Sequence, residues 1–301
     1  MNNSSFCDST FQTHLLPPMY SIEMCVALAG NVFALWLLAT RERQNWHTGV
    51  VFSCNLAISD VLYILTLPLL IIYYAKTKHW VFGCIACKIE RFLFNCNLYV
   101  SIFFIMCISV NRYLAIIHPF FTRSYVHPKQ AKIISMLTWL IVIIASSPVL
   151  KFAGTSQNQQ NNTHCVSNYD EKLESAHFKY KIFVMVVGCM VPLVVTFTSY
   201  LGVIWTVLKN KNITTLEKRK VALMVALVCI LYAISFVPYH ALQTYQVYLR
   251  MIKIKKCWVH DSYQVSKGLA TLNMCTHPLL YMAVFDSIRT ACCGRNSDDK
   301  P

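Results

Sequence analysis

Seven long apolar segments, separated by shorter polar stretches, dominate the sequence. Each is long enough to cross the roughly 30 Å hydrocarbon layer of a membrane, which takes about 20 residues of α-helix. The pattern therefore predicts an all-α membrane protein, a seven-transmembrane helix bundle. The segments cover about residues 20–40, 48–75, 84–118, 128–150, 178–208, 217–250 and 259–284.

The third segment carries one arginine near each end. Arg91 and Arg112 lie 21 positions apart, which at about 1.5 Å per residue separates them by roughly 31 Å. One guanidinium is thus expected at each face of the membrane. This indicates a protein that receives a signal on one side and transmits it on the other.

Composition supports a membrane protein and argues against a nucleic-acid partner. The chain has 301 residues, of which 56% are hydrophobic and 13% are charged, against about a quarter charged in soluble domains. The formal net charge is +14, but no lysine-rich block accompanies it. The polar N-terminus lacks the basic start and apolar core of a cleavable signal peptide, so we expect none.

Glycosylation motifs predict which side of the membrane each end occupies. Asn2, Asn3 and Asn161 each begin an Asn-x-Ser/Thr motif. Seven spans put the N-terminus and the loop containing Asn161 on the same side, which we expect to be outside the plasma membrane. Asn212 begins a fourth motif, but on the cytoplasmic side it would go unused. The chain then divides into an extracellular N-terminus (1–19), a membrane domain (20–284) and a short amphipathic eighth helix with a cytoplasmic tail (285–301).

Basic residues are retained on the predicted outer side, although membrane proteins normally concentrate them inside. Of the 27 lysines and arginines, 14 fall on the cytoplasmic side and 13 on the outer side. Arg91 and Lys267 lie a turn or two inside their helices, where a cation is costly unless it faces a partner or a water-filled cavity. We therefore expect an anion-attracting cavity in the outer half.

The 14 cysteines divide by compartment. Cys87 and Cys165, on the oxidising side, would tether the long outer loop over the cavity, and Cys7 and Cys257 would join the N-terminus to the last outer loop. Cys84 is then left without a partner. Near the C-terminus Cys292 and Cys293 follow an amphipathic run, FDSIRTA, and are palmitoylation candidates, with plain membrane-proximal thiols as the alternative.

Short motifs in the segments resemble those of the rhodopsin-like (class A) G-protein-coupled receptors. The motifs follow one another in the same order as in that family, and the resemblance covers about residues 20–293. They are Gly30-Asn31, Leu56-Ala57-Ile58-Ser59-Asp60, Asn111-Arg112-Tyr113, Trp139, Pro192 with Tyr200, Phe236-Val237-Pro238-Tyr239 and His277-Pro278-Leu279-Leu280-Tyr281. Within that family the chain is similar to the purinergic nucleotide receptors, and HPFF and HPLLYM resemble an ATP-responsive branch coupled to calcium and cyclic-AMP pathways. Succinate and oxoglutarate receptors share much of segment three. The resemblance to the purinergic receptors rests on four stretches of sequence, residues 87–94, 97–99, 237–240 and 263–270.

The resemblance implies a ligand pocket for an extracellular anion, most simply a nucleotide such as ATP or ADP. Arginine can grip phosphate oxygens with two parallel hydrogen bonds and lysine adds a point charge. Plainer interpretations stay open: Arg91 would be structural if it paired with Glu90 or Glu23, and the histidine and aromatic residues fit ordinary packing as well. The implied ligand residues are Arg91, Phe94, Asn95, Tyr99, His240, Gln243, Gln264, Lys267 and Thr271.

Gln243 departs from the family pattern, because nucleotide-binding members usually carry Lys or Arg there. Loss of that cation weakens the case for a triphosphate. It favours fewer phosphates, a succinate-like dicarboxylate or an acidic lipid, unless Lys179, Lys181 or Arg250 compensates.

Further residues match the family's sodium site and its switch. The sodium residues are Asp60, Ser101, Asn273 and His277, and the imidazole of His277, unusual in the family, would either hydrogen-bond Asp60 or displace the ion. No other cofactor is expected. The coupling and switch residues are Asn111, Arg112, Tyr113, Phe120, Tyr200, Phe236 and Tyr281.

The resemblance also implies partners and an activity. Phe120 matches an apolar knob that enters the G protein, and Asn111, where most relatives have Asp, cannot form the ion pair that restrains Arg112. We expect raised basal signalling through a heterotrimeric G protein (Gq and/or Gs or Gi), with arrestin as a further partner. The alternative is a constitutively active orphan receptor. Asp60 with His277 is a conceivable catalytic pair, but neither enzyme motifs such as HExxH nor transporter repeats occur.

Overall fold

The computed structural model describes residues 10–40, 47–158, 161–167, 171–211, 213–254 and 256–284. Several predictions fall on other residues and lie outside this part: the glycosylation sites Asn2 and Asn3, the motif at Asn212 that is expected to go unused, the half-cystine Cys7, the eighth helix and the palmitoylation candidates Cys292 and Cys293.

Seven helical spans form the described part of the bundle, as the apolar pattern predicts. Six of them are long and apolar enough to cross a membrane by themselves, and the seventh, near the C-terminus, is more polar. The helices are α1 Thr10–Thr40, α2 Thr48–Ile64, α3 Leu67–Ala75, α4 Gly83–Ile117, α5 Pro119–Tyr125, α6 Pro128–Ser146, α7 Val149–Phe152, α8 Glu174–Met185, α9 Val191–Lys209, α10 Thr215–Met251 and α11 Cys257–Val284.

Three spans are interrupted or composite. The second consists of α2 and α3, with Pro68 in the first turn of α3, where proline fits because its missing N–H would be unpaired anyway. The fourth consists of α6 and α7, separated at Pro148. In the fifth, a π-helical turn, Val186–Met190, joins α8 to α9 just before Pro192. Each break coincides with a proline that cannot continue the hydrogen-bond ladder.

Helix α1 begins at Thr10, earlier than the start near residue 20 that the apolar pattern predicts. Residues 10–19 include Pro17 and Pro18, which argue against helix when only the local sequence is considered. In the structure Gln12 is buried and its Nε2 donates to Asp261 Oδ1 of α11 over 2.6 Å. Docking on the seventh span therefore extends the helix beyond its apolar core.

The long loop between the fourth and fifth spans contains a small antiparallel hairpin that the sequence pattern does not predict. Strand β1 Gly154–Gln157 pairs with β2 Thr163–Val166, with Gly154 opposite Val166 and Gln157 opposite Thr163. The predicted disulfide joins Cys165 of β2 to Cys87 in the first turns of α4. We call this end of the bundle the disulfide end and the opposite one the Arg112 end.

Apolar side chains cover the outside of the bundle as well as its interior. Met136, Ile144 and Trp205, for example, are 66%, 62% and 62% exposed. Polar side chains such as Asp60, Asn31 and Glu90 are fully buried between the helices. This inverted distribution is what a bundle surrounded by lipid requires, since charged groups are costly in hydrocarbon.

Close contact between α1 and α11 depends on Gly30. A Cβ atom there would lie 2.7 Å from Cγ of Pro278, a ring that cannot rotate away. We expect Gly30→Ala to destabilise the protein by about 1–3 kcal/mol through overpacking and to lower its thermal unfolding midpoint in detergent. Ala29→Val is the control, because Ala29 is exposed on the same helix and this change adds more atoms than Gly30→Ala does. Equal midpoints for the two variants would contradict this packing argument.

Candidate functional site

A narrow cleft opens at the disulfide end, with a cavity volume of about 10 Å³, which is room for about one water molecule. It is assembled from α4, α7, α8, α10 and α11, together with Ser167 of the hairpin loop. Four of the nine predicted ligand residues line it, namely Arg91, Phe94, Asn95 and Gln243. The other lining residues are Val149, Phe152, Ser167, His177, Lys181, Tyr239 and Tyr263.

The two predicted ligand cations share one buried carboxylate. Lys267 Nζ donates to Glu90 Oε1 over 3.3 Å, and Arg91 Nε lies 3.4 Å from Glu90 Oε2. The side chains of Glu90 and Lys267 are completely buried. Arg91 also donates from Nη2 to the carbonyl oxygen of Cys165 over 3.1 Å. The pairing of Arg91 with Glu90, left open by the sequence, is therefore present, and it does not remove Arg91 from the cavity wall.

Lys181 is a third buried cation at the cavity. Its side chain is 3% exposed and its Nζ lies 5.2 Å from the centre of the Tyr180 ring. Within the described part of the chain no carboxylate lies within ion-pair distance of it, and the Arg91 charge repels it. A buried cation without a counter-ion is costly. An anion bound in the cavity would therefore stabilise Lys181.

The other five predicted ligand residues contact the cavity indirectly or point elsewhere. Lys267 lies behind the wall, with its Nζ 4.7 Å from the centre of the Phe94 ring. Deeper in the bundle, Tyr99 and His240 pack their rings 5.6 Å apart.

Two of the predicted ligand residues are engaged with neighbouring spans. Gln264 accepts a hydrogen bond from Tyr74 OH over 3.3 Å. Thr271 donates to Glu23 Oε2 of α1 over 2.7 Å. Side-chain partners on α1 and α3 thus direct these two residues away from the cavity, although they share its helix α11 with Tyr263.

Below the cavity, Asp60 is the centre of a buried polar cluster. Asn97 Nδ2 donates to Asp60 Oδ1 over 2.9 Å and to Ser59 Oγ over 2.9 Å. The ring of His277 contacts Asp60 Oδ2 through Nδ1 at 2.7 Å, where the nitrogen must donate to the carboxylate. Both carboxylate oxygens therefore already accept a hydrogen bond. Asn97 belongs to the stretch 97–99, which resembles the purinergic receptors, but its contact with Asp60 was not predicted.

The remaining predicted sodium residues contribute unpaired polar atoms to the same region. Ser101 Oγ, Asn273 Nδ2 and His277 Nε2 are buried and have no hydrogen-bond partner among the described residues. Such atoms are uncommon in folded proteins. Of the four predicted residues, the structure joins His277 directly to Asp60, and the imidazole lies against the carboxylate oxygen that an ion would approach.

At the Arg112 end, Asn111 bonds to a neighbouring helix. Its Oδ1 accepts from Thr48 Oγ1 of α2 over 2.7 Å. Arg112 and Arg123 line an open cavity with His47, and burial together with the positive charge of Arg112 lowers the pKa of His47. Phe120, at the start of α5, is 88% exposed.

The remaining switch residues are inside the bundle. Phe236 packs edge-on against Tyr232 with ring centres 5.0 Å apart. The Tyr281 hydroxyl is buried without a hydrogen-bond partner in the described region, and Tyr200 is 3% exposed. Tyr113 packs against Gly202 of α9, where a Cβ would lie 2.6 Å from the ring. Tyr113 thus packs the third span against the fifth, whereas Phe236 and Tyr232 both lie on α10.

Comparison with known proteins identifies the family. The sequence profile of the 7 transmembrane receptor (rhodopsin family) matches residues 30–281. The human purinoceptor 11 is 38% identical and aligns with 96% of this chain and 83% of its own. The purinoceptor 1 of Cavia porcellus is 35% identical, with coverages of 93% and 76%, and that of Gallus gallus is 33% identical, with coverages of 96% and 82%.

The chain belongs to the rhodopsin family of seven-transmembrane receptors. This confirms the family expected from the motifs, and it makes the protein a multi-pass receptor of the plasma membrane rather than an enzyme. The receptor is related to the purinoceptors over nearly its whole length.

Two features of the receptor's site were only partly visible in the sequence. Lys181 was one of three candidates to compensate for Gln243, and helical periodicity alone could not choose among them. Lys179 is exposed, Arg250 does not line the cavity and Lys181 does. Glu90 precedes Arg91 directly, a signal that suggested pairing, but its bond to Lys267 joins residues 177 positions apart.

Proposed function

We propose that this receptor binds an extracellular nucleotide at the disulfide end and signals to a heterotrimeric G protein at the Arg112 end. The observation that carries the proposal is the charge at the cavity: Arg91 and Lys267 share a single carboxylate, Glu90, and Lys181 lines the cavity with no described carboxylate within ion-pair distance. Cations therefore outnumber carboxylates among the described residues there. The similarity to proteins named purinoceptors supports the same ligand class.

The residues around the cleft offer each part of a nucleotide a suitable partner once the cleft widens to admit it. A guanidinium can hold two phosphate oxygens at once, and a lysine adds a compact charge. At an effective dielectric constant of about 20, one charge pair at about 4 Å contributes roughly 4 kcal/mol before desolvation is subtracted. Phe94, Phe152, Tyr239 and Tyr263 supply aromatic faces for a base.

Lys181 replaces the cation that Gln243 lacks. Gln243 Nε2 donates to Tyr239 OH over 2.7 Å and so contributes a dipole rather than a charge to the wall. Because Lys181 lines the same cavity from α8, the number of cations suits a diphosphate or triphosphate. A succinate-like dicarboxylate remains the second candidate, since the narrow cavity and two charges would also match it.

The disulfide end is proposed to be extracellular, with the N-terminus outside. Disulfides persist in oxidising compartments, and Cys87–Cys165 lies at this end. Cys257, at the start of α11, is also disulfide-bonded, in keeping with the predicted Cys7–Cys257 pair, although Cys7 lies outside the described residues. Asn161 is exposed in the same loop and accessible for glycosylation. Gln12 of α1 contacts Asp261 here, which brings the N-terminal side to this end.

The Arg112 end is proposed to bind the G protein. Exposed Phe120 offers an apolar side chain to a partner, close to the cavity containing Arg112. Gq, Gs and Gi remain the candidate subtypes, with arrestin as a further partner. Displacement of the buried tyrosines would connect ligand binding to this surface, as in a two-state equilibrium biased by ligand.

We also propose that His277, rather than sodium, occupies the space beside Asp60. Sodium prefers oxygen ligands. Each oxygen of Asp60 already uses one of its lone pairs, Oδ1 for Asn97 and Oδ2 for His277, and the imidazole ring fills the space beside Oδ2. The residues as arranged do not fit the ion. Of the two outcomes expected from the sequence, this favours the one in which the imidazole hydrogen-bonds Asp60.

The ligand proposal is tested with single-charge variants in transfected cells. For Arg91→Ala, Lys181→Ala and Lys267→Ala we expect the half-maximal nucleotide concentration to rise about 10- to 100-fold, because a charged hydrogen bond contributes roughly 1.5–3 kcal/mol. Calcium and cyclic-AMP responses to mono-, di- and triphosphates measure it. Lys179→Ala, an exposed lysine on the same helix, is the matched control and should respond like the wild type. A response to dicarboxylates but not to nucleotides would overturn the ligand assignment.

The proposal for His277 predicts how the receptor responds to sodium. Exchanging sodium for potassium chloride at constant ionic strength should leave the unfolding midpoint of the purified wild-type receptor unchanged. His277→Asn frees one oxygen of Asp60 and supplies an amide oxygen, so its midpoint should rise in sodium. A sodium-dependent midpoint in the wild type would contradict the proposal.

Basal signalling is expected to depend on Asn111. Asn111→Asp places a negative charge beside Arg112, and an ion pair of up to about 1 kcal/mol would restrain it, lowering ligand-free signalling roughly two- to fivefold. The signal is measured without agonist at matched surface expression. Thr48→Ala removes the bond to Asn111 without adding charge and should not produce this decrease. Identical basal signals in Asn111→Asp and wild type would refute the role assigned to Asn111.

A further inference from the structure

We propose that Glu90 is an internal competitor for the ligand: it occupies Lys267 and Arg91 in the ligand-free receptor, and an anionic group of the ligand must displace it. The inference rests on the proposed function for the site and for the anionic class of the ligand. By this proposal, Glu90 sets the affinity of the receptor for its ligand. It also sets how many negative charges a ligand needs in order to bind.

The first support is the position of Glu90. Its side chain is completely buried, and its two oxygens face different cations, Oε1 facing Lys267 and Oε2 facing Arg91. Arg91 and Phe94 line the cavity, and Lys267 lies directly behind Phe94. The carboxylate is therefore held by two of the cations that an incoming anion would use.

The second support is that Glu90 satisfies its partners incompletely. Glu90 Oε2 and Arg91 Nε are both buried without a hydrogen bond to any described residue, even though they lie 3.4 Å apart. The bond to Lys267 is 3.3 Å long, whereas charge-assisted N–H···O bonds are typically about 2.7–2.9 Å. A phosphate group has more oxygens than a carboxylate and can reach both cations with better geometry. A phosphate group can therefore take over the contacts that Glu90 makes with these two cations.

The third support is the charge that remains. With Glu90 in place, Arg91 and Lys267 are already partly neutralised, whereas Lys181 is the cavity cation that no described carboxylate pairs with. A singly charged anion can pair with Lys181 but gains little by displacing Glu90. A multiply charged anion can bind Lys181 and replace Glu90 at the same time. Glu90 thus raises the concentration that a singly charged anion needs in order to bind, and it favours multiply charged anions.

Displacement also has a mechanical consequence. Glu90 lies on α4 and Lys267 on α11, so their bond ties the third span to the seventh. When a ligand replaces the carboxylate, that tie is broken and the two spans are connected through the ligand. The same exchange that selects the ligand would bias the helix arrangement that reaches the Arg112 end.

The test uses purified full-length receptor in detergent and inorganic pyrophosphate as the probe. A ligand that binds only the folded state raises the unfolding midpoint with its concentration, so titration yields a half-saturating concentration. We expect Glu90→Gln to lower that concentration at least tenfold. Inorganic phosphate, titrated in parallel, should gain affinity too, and the preference for pyrophosphate over phosphate should become smaller in the variant.

Glu23→Gln is the matched control. Glu23 is a buried carboxylate at the same end, and its Oε2 accepts from Thr271 of α11. Among the described residues it forms no ion pair with a cation. The same chemical change there should leave the half-saturating pyrophosphate concentration unchanged.

An unchanged or higher half-saturating concentration in a folded Glu90→Gln receptor would overturn the proposal and make Glu90 a structural ion-pair partner. If that variant does not fold, Glu90→Asp keeps the charge but withdraws it by one methylene, and a severalfold lower concentration is expected, with no decrease again counting against the proposal. The result is independent of nucleotide signalling. Nucleotides that fail to activate wild-type cells would overturn the proposed function, whereas the pyrophosphate titration alone decides the role of Glu90.

Discussion

The cost of burying charge in a lipid-surrounded bundle is the constraint on which the rest of this structure depends. A cation inside the bundle must find a counter-ion, a water-filled cavity or an aromatic face. Lys267 has Glu90 and Phe94, whereas Lys181 has the ring of Tyr180 and the cavity. The disulfide-linked hairpin covers this charged region, and Arg91 bonds to its backbone. The architecture of the disulfide end follows from accommodating these charges.

A second polar layer lies closer to the middle of the bundle and joins different spans. Asp60 receives Asn97 from α4 and His277 from α11, while Asn31 of α1 donates to the carbonyl oxygen of Met274 over 2.9 Å. Buried polar groups that are hydrogen-bonded across helices specify a unique arrangement, since slipping would leave them unpaired. Ser101 Oγ, Asn273 Nδ2 and His277 Nε2 are buried without partners among the described residues, so the polar groups of the bundle are not all satisfied in this arrangement.

Local patterns predicted the architecture well because membrane spans are governed by length and apolarity. The seven segments, their order and the family follow from residues that lie close together in the sequence. Prediction was weaker wherever a long-range partner decides the outcome. Helix α1 extends to Thr10 because Gln12 meets Asp261, and the β-hairpin forms in a loop whose residues show no apolar alternation. The ligand residues Gln264 and Thr271 share a helix with the cavity, but partners on α3 and α1 turn them elsewhere.

By itself, the sequence determined the membrane class, the seven spans, the Cys87–Cys165 tether and the presence of unusual cations near the disulfide end of their helices. It could do so because span length, helical spacing and residue type are properties of the chain alone. Only the tertiary structure decided which cations meet, that Lys181 rather than Lys179 or Arg250 faces the cavity, and that Glu90 lies between Arg91 and Lys267. These are relations between helices far apart in the chain, and their rotations are set by packing that no single segment contains.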